Sequence, residues 1–455
     1  MEMINRKDKK RPALVEDVLK AVKKNNILGA WLQFIDVDGI VKSVEVNANR
    51  LDDVMESGAS FDGSSIDGYG VLQESDMVAI PDPSTFAIVP WRSTDNAVAR
   101  FLCDIYHPDE TRYEGDPRYI LQRVVKKATD QGYLMMAAPE LEFFILSENG
   151  QNPPGTTDMR GYFDSDPTDE SHLLKRDIAA YAEKFPDVVV ETVHHEVARS
   201  QHEIDIKYAE PVPISDACVT VKQVIKVVAA RRGFIATFMP KPWSGHNGSG
   251  MHVHTSLWDL KGKTNLFYDG NATNGISKLM RYWIGGQLKY AKEMTAILDS
   301  WPNSYKRLVP GYEAPTYIAW GFKNRSMLIR VPNFFGKSKA ARCEIRSPDP
   351  AGNIYLQMAA ILTTGLEGVK HRIEPPDPVE LNVFKVKEEE RRRMGVDNLP
   401  ESLGQALHVF SESKLMREMM GPEAFKAFMN SKSEENLAYN MQVSEWELQR
   451  YAKVL

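Results

Sequence analysis

Asn247-Gly248-Ser249-Gly250-Met251-His252-Val253-His254, entered from Lys241-Pro242-Trp243 and running on into Thr255-Ser256-Leu257, is the stretch around which the chain is organised. Glycines at 248 and 250 let the backbone turn tightly and approach a ligand closely. The β-type run that follows sets His252 and His254 on one face, because side chains two apart along a strand point the same way. A histidine pair after a glycine turn is common by itself. What directs this one toward a metal or phosphate is its company: Glu140-Leu-Glu142, His194-His-Glu196, Gln201-His-Glu203 and Glu344-Ile-Arg346 all lie in segments of β character and supply carboxylates and a cation.

The chain has 455 residues, more than one hydrophobic core of about 250–300 residues accommodates, so two or more units are expected. An apolar content of 43% and a charged content of 26% are those of an ordinary soluble globular protein. The net charge is −6, and no long basic run or aromatic-basic repeat is present, which argues against nucleic acid as a partner. Cys103, Cys218 and Cys343 are few and far apart, so neither a disulfide framework nor a zinc knuckle is indicated. No leader-like apolar region and no run of about 18 apolar residues is seen, which predicts no membrane partner and a cytoplasmic location.

Residues 13–25 predict an amphipathic helix, followed by strands 28–35 and 40–46 around the turn Val37-Asp-Gly39. Ser60-Phe-Asp-Gly-Ser-Ser65 reads as a loop offering a carboxylate and hydroxyls. Strands are expected at 77–80, 90–91 and 97–106, with a domain cut after 108, giving domains 1–108 and 109–455. A helix at 117–132 ending on Gly132 precedes a strand at 134–146 that carries Glu140 and Glu142 on one face. Further helices are expected at 173–185 and 212–231, one long helix at 276–298, and a buried helix at 351–368. Strands at 188–193 and 203–208 flank a turn at His194-His195-Glu196.

Same-face positions on a strand are about 7 Å apart, so Glu140 and Glu142 can each serve a different ion of a neighbouring pair. Oxygen ligands with at most one imidazole suit Mg²⁺ or Mn²⁺. Residues 301–350 hold nine Lys/Arg against three acids inside a chain of net −6, an asymmetry that focuses anions. Five of the nine are arginines, whose forks fit phosphates and carboxylates. Divalent metals beside arginines imply phosphoryl transfer, yet no P-loop or kinase signature is present. The residues alone therefore lead to a metal- and ATP-dependent enzyme acting on an anionic substrate.

Together Phe61-Asp-Gly-Ser-Ser65, Pro139-Glu-Leu-Glu-Phe143, His194-His-Glu-Val197, Asn247-Gly-Ser-Gly-Met-His252, Asn303 to Pro315, Asn324-Arg-Ser326 and Glu344 to Pro350 resemble the type I glutamine synthetase family over nearly the whole chain. The resemblance implies an α+β fold: a small N-terminal β-grasp domain and a large catalytic domain with a curved antiparallel sheet flanked by helices. It implies one metal on Glu142, Glu196 and Glu203, a site near −1, and a second on Glu140, His252 and Glu344, a site near zero. ATP would be faced by His254, Ser256, Arg330, Lys339 and Arg342. L-glutamate would be gripped by Asn247, Gly248, Arg307 and Arg346, and ammonium by Asp62, Ser65, Tyr162 and Glu196.

Carried over further, the reaction runs through γ-glutamyl phosphate, with Arg325 and Arg330 neutralising charge, Asp62 as base and Glu313 on a flap that excludes water. Asp62 would act in trans within a homo-oligomer, a dodecamer with active sites between subunits, and a PII-type protein is an open regulatory partner. Two departures stand out: Arg199 near the first metal, and Val71 where the glutamine-inhibited subgroup has arginine, which predicts weak feedback inhibition. The alternatives are a γ-glutamyl-polyamine or other amine ligase of the same fold and a catalytically silent relative. Retention of Asp62, Ser65 and Tyr162 favours ammonia over amines, and the full set of metal ligands argues against a silent protein.

Overall fold

Pro12 opens α1 (Arg11–Lys24), where its missing N–H costs no helical hydrogen bond, and Val18 and Val22 turn inward. The alternation that follows closes as a hairpin: β1 (Gly29–Ile35) pairs antiparallel with β2 (Val41–Asn47). Gly39 at the tip has φ +87°, and a Cβ there would lie 2.9 Å from the Cα of Asn353, so both conformation and space demand glycine. Next come α2 (Leu51–Ser57), β3 (Ala59–Asp62), β4 (Asp76–Pro81), β5 (Ala87–Ile88) and β6 (Val98–Tyr106). Their sheet runs β2-β1-β6-β4-β3, with β5 on β6. Only β1–β6 is parallel among these pairs.

This computed structural model describes residues 10–66, 76–147, 160–164, 170–323, 326–381, 383 and 386–455. The second part of the chain contains α3 (Pro117–Asp130), β7 (Tyr133–Ser147), α4 (Glu170–Ala182), β8 (Val190–His195), β9 (Gln201–Ile206), α5 (Pro211–Arg231), β10 (Phe234–Thr237) and β11 (Val253–Asp259). It continues with α6 (Lys278–Lys289), α7 (Ala291–Leu298), α8 (Ser304–Arg307), β12 (Tyr317–Gly321), β13 (Met327–Arg330), β14 (Cys343–Ile345) and α9 (Ile354–His371). The last elements are α10 (Glu388–Arg393), β15 (Asp397–Asn398), α11 (Leu403–Glu412), α12 (Lys414–Met420), α13 (Pro422–Asn440) and α14 (Glu445–Tyr451). The larger sheet runs β15-β12-β13-β14-β11-β7-β9-β8, with β10 on β7.

The α+β class expected from the sequence is the class observed. The expected antiparallel sheet has one exception, because β12 and β13 run parallel. The expected long helix at 276–298 is two helices that meet at Tyr290, whose ψ of 13° leaves the helical range. α6 packs on α9 through Gly286, which meets Thr364 and Gly368, while α7 packs chiefly on α11, so the two helices follow different partners. Residues 90–91 form a turn, and the strand lies at Ala87–Ile88, since Pro90 cannot donate to a ladder. Residues 59–62, read as loop, form edge strand β3, and His194 and His195 belong to β8 rather than to a turn.

The two sheets are clamped together by a buried polar cluster. Arg118 on α3 holds Asp104 at 2.7 Å and Asp82 at 2.9 Å from the first sheet, and Asp216 of α5 at 2.8 Å. Tyr355 of α9 donates to Asp216 at 2.7 Å. The hairpin tip is gripped separately: Asn353 donates to the carbonyl of Asp36 at 2.9 Å, and Lys432 of α13 lies 2.8 Å from Asp38. Among the described residues, no helix is long and apolar enough to cross a membrane.

Candidate active site

Sheet register builds the site. Across the antiparallel pairs, His194 of β8 faces Glu203 of β9, and Glu203 faces Glu142 of β7. On the other side of β7, His254 of β11 faces Glu344 of β14, which faces Arg330 of β13. Directly opposed residues share a face, so these side chains stand on one face of the sheet, in two rows that cross β7 at Glu142 and Ala138. Between the halves the turn after Gly248 continues the ladder, with Glu140 N bonded to His252 O at 2.9 Å. Strand alternation thus places Glu140 and Glu142 together on that face, as the sequence predicts.

The distances are those of two ligand clusters. His252 Nδ1 lies 3.0 Å from Glu140 Oε2 and 3.9 Å from both Glu142 Oε1 and Glu344 Oε1. His254 Nε2 lies 2.7 Å from Glu140 Oε1, and its Nδ1 meets Arg342 Nε at 3.3 Å. His194 Nε2 is 3.1 Å from Glu203 Oε1, and its Nδ1 is 3.7 Å from Glu196 Oε1. Ligand atoms of Glu140, His254 and Glu344 lie within 4.8 Å of one another, as do those of His194, Glu196 and Glu203, and those of Glu140, Glu203 and Asp205.

The electrostatics differ between the clusters. Burial first, then repulsion from Glu203 and Glu196, pushes the Glu142 carboxyl far above its usual range. Burial and the charges of Glu140, Asp205 and Glu196 push Glu203 up to about 10. At Glu344 burial is outweighed by Arg346, His254 and His252, which hold it down to about 2. Burial and Arg346 push His252 down to about 4, leaving a neutral imidazole fit to ligate. Glu142, Glu196 and Glu203 repel one another, a concentration of carboxylate oxygens of the kind a hard divalent cation relieves. Two carboxylates and a neutral imidazole at Glu140, Glu344 and His252 fit a second.

These groups line a cavity of about 260 Å³ together with Tyr162, Asn247, Gly248, Arg307, Glu313, Arg330 and Arg346. Arg307 is fixed by its Nη1 bonding Ser347 O at 2.6 Å and its Nη2 bonding Arg346 O at 3.0 Å. Two of its five N–H groups are thereby used, and the residue lines the cavity. Arg330 donates to Glu344 at 2.6 Å, and Arg346 pairs with the other oxygen of Glu344. Two arginines read as anion-binding are thus also carboxylate partners. Glu313 sits at φ +57°, a left-handed backbone at the cavity rim.

Not every predicted residue lies in this cavity. His254, Ser256, Lys339 and Arg342 do not line it; the Ser256 hydroxyl accepts from Trp258 at 2.9 Å, and Lys339 occupies a short 3-10 turn. Asp62 is on β3 of the other sheet, where its carboxylate accepts from Ser64 N at 2.9 Å. Arg199 is exposed and does not line the cavity. Arg325, Val71 and the side chain of Ser65 lie outside the described residues. Conversely, Gln201, His194, Asp205 and Tyr312 were not assigned from the sequence. Gln201 was within reach, because it lies two positions from Glu203 on the same strand face.

The family model described as glutamine synthetase, catalytic domain, matches residues 114–451, and that described as glutamine synthetase, beta-Grasp domain, matches residues 29–108. Among curated proteins, the glutamine synthetase of Thermotoga maritima is 44% identical over 96% of this chain and 99% of its own. That of Methanosarcina mazei is 45% identical over 97% and 98%. Among solved structures, GmaS in complex with ADP superposes with a TM-score of 0.88 at 28% identity, covering 96% of this chain and 99% of that one. The glutamine synthetase of Plasmodium falciparum, solved by cryo-EM, gives 0.85 at 26%, covering 99% and 100%.

Proposed function

Because this chain belongs to the glutamine synthetase family, we propose a residue-level reading of how it joins ammonia to L-glutamate with ATP and divalent metal. It is an ATP-dependent glutamate–ammonia ligase. The observation that carries the reading is the pair of carboxylate-rich clusters on one face of the sheet, meeting Arg307 and Arg346 in one cavity. We assign residues 1–108 to the β-grasp domain and 109–455 to the catalytic domain.

In this reading Glu142, Glu196 and Glu203 hold one Mg²⁺ or Mn²⁺, and Glu140, His252 and Glu344 hold the other. When bound, such ions neutralise charge on the transferring phosphoryl group and orient the nucleotide. Arg307, with Asn247 and Gly248, grips the substrate's carboxylate and amine end. Arg346 lines the same cavity, and its buried Nε, which has no hydrogen-bond partner among the described residues, is left for the same ligand. Arg330 and Arg325 meet the charge that develops as the side-chain carboxylate of glutamate attacks the γ-phosphate to give γ-glutamyl phosphate. His254, Ser256, Lys339 and Arg342 flank the nucleotide.

Glu313 closes the rim so that water does not hydrolyse the acyl phosphate. Ammonium collects at Tyr162, Ser65 and Glu196 and loses a proton to Asp62, since only free ammonia attacks. Because Asp62 stands on the first sheet and does not line its own chain's cavity, it serves a neighbouring copy, in an assembly read as a dodecamer. A cytoplasmic setting and a PII-type regulatory partner complete the reading.

The test is phosphate release by the purified protein with ATP, Mg²⁺ and glutamate, offering ammonium, methylamine or a polyamine at equal concentration. Release with ammonium that disappears in Asp62→Ala is expected. Release with the amines alone would make the protein an amine ligase, and release with none would make it a silent relative.

A further inference from the structure

Directly behind Arg307 lies a sealed acidic cluster that the reaction does not use. Asp299, at the C-terminus of α7, and Asp349, after β14, are both 0% exposed. Asp349 is supplied with donors: Ala351 N bonds its Oδ1 at 2.9 Å, and the Ser304 hydroxyl also donates to it. Asp299 is not. Neither of its side-chain oxygens meets a hydrogen-bonding group among the described residues, and the same is true of Asp349 Oδ2 and the Tyr305 hydroxyl.

The geometry of the guanidinium points the same way. Ionic N–H···O bonds of arginine settle at about 2.7–2.9 Å, yet Arg307 Nη1 stands 3.8 Å from Asp299 Oδ1. Its hydrogens go instead to the carbonyls of Ser347 and Arg346. The glycine turn makes room for the guanidinium: a Cβ on Gly250 would lie 2.6 Å from Arg307 Nη2. A buried, fully ionised Asp299 would draw the guanidinium back out of the cavity and compete with a substrate carboxylate for it. A neutral carboxyl fills the same space without that pull.

We propose that Asp299 is held as a neutral carboxylic acid and that it is a positioning residue that leaves the charge of Arg307 to the carboxylate of the amino-acid substrate. This rests on the reading that Arg307 grips glutamate. Two like charges buried side by side cannot both ionise cheaply, and the one without donors takes the proton. The groups facing the pair are consistent with that choice. Burial and then Asp349 push Asp299 far above the carboxylate range, with Arg307 opposing.

The assembled enzyme and its Asp299→Asn variant should be compared by infrared difference spectroscopy. The variant should lose a carbonyl band of a protonated carboxyl rather than the paired bands of a carboxylate. Asparagine imitates the neutral acid, so the glutamate KM of that variant should stay within about two-fold, whereas Asp299→Ala should raise it about ten-fold with the ATP KM unchanged. Loss of carboxylate bands in Asp299→Asn, or an equal rise of glutamate KM in the Asn and Ala variants, overturns the proposal. Should the Ala variant fail to assemble, the Asn variant decides by itself. Arg307→Lys separates the two readings: an unchanged glutamate KM there refutes the role of Arg307 and leaves the infrared result standing.

Discussion

Gln201 and Glu142 are joined by a hydrogen bond of 2.8 Å, and the same Gln201 amide reaches the carbonyl of Gly248 at 3.1 Å. One neutral side chain thus ties a carboxylate of the first cluster to the turn read as holding the substrate. Gly250 N adds a second donor to the same Glu142 oxygen at 2.9 Å. Hydrogen bonds to charged groups contribute about 1.5–3 kcal/mol. Gln201→Leu is therefore expected to raise both the glutamate KM and the Mg²⁺ concentration for half-maximal activity by roughly ten-fold. Titrating each in turn in steady-state assays checks this; a change in only one would break the link.

The repulsion among Glu142, Glu196 and Glu203 makes a stability prediction. A divalent ion bound only by the folded state stabilises by about 2.7 kcal/mol at a hundred times its dissociation constant. Chelator should lower the unfolding temperature and Mn²⁺ or Mg²⁺ should restore it. The restoration should shrink in Glu203→Gln, which weakens the oxygen cluster. An unfolding temperature indifferent to metal would count against these residues as its ligands.

How far this site could be read in advance follows from which interactions are local. Glu140 and Glu142 were legible because a strand repeats every two residues, and His252 with His254 for the same reason. The pairing of Glu142 with Glu203 was not, because it depends on strand register between segments about sixty residues apart. The pairing of β8 with β9, which brings His194 opposite Glu203, also passes a bulge between Val190 and Thr192. His194 was placed in a turn by its glutamate and histidine neighbours, and only cross-strand pairing reveals it as the partner of Glu203. The break at Tyr290 was hidden because a tyrosine continues a helix well enough; different packing partners for α6 and α7 impose it. The family resemblance supplied what physics did not, the identities of the substrates.

Lys432 on α13 is 0% exposed. It lies 2.8 Å from Asp38 at the hairpin tip and 3.5 Å above the ring of Trp301. Removing one partner of a buried ion pair strands the other, at a cost of about 3–5 kcal/mol. Lys432→Met should therefore lower stability by about that amount, and Asp38→Asn in the same chain should restore a large part of it. A double-mutant cycle by thermal unfolding measures the coupling, and additive effects would contradict the pair.

Asp104 gives the pH dependence of the clamp between the sheets. Burial disfavours its charge, but Arg112 and Arg118 outweigh burial and hold the carboxyl well below its ordinary range. A depressed carboxylate contributes stability above its unfolded pKa of about 3.9 and loses it as pH falls through the folded value. Asp104→Asn should thus be destabilising at neutral pH, with a penalty that shrinks steadily below about pH 5. Asp82, raised by burial, has the opposite sign, so the comparison must be made variant against parent at each pH. A penalty that is flat with pH would exclude the ionised Asp104 as its source.

Asp62 and Glu344 belong to different sheets, and only Glu344 lines the cavity of its own chain. If Asp62 completes the site of a neighbouring copy, two defective chains can repair each other. Asp62→Ala and Glu344→Gln proteins should each be inactive when pure. Dissociated, mixed in equal amounts and reassembled, they should recover roughly a quarter of the parent activity, because in a ring of head-to-tail contacts that share of interfaces pairs an intact Asp62 with an intact Glu344. A site contained within one chain gives no recovery, since every chain in the mixture then carries a lesion in its own site. The recovered activity should also rise and fall with the fraction of mixed assemblies, which native mass spectrometry counts directly.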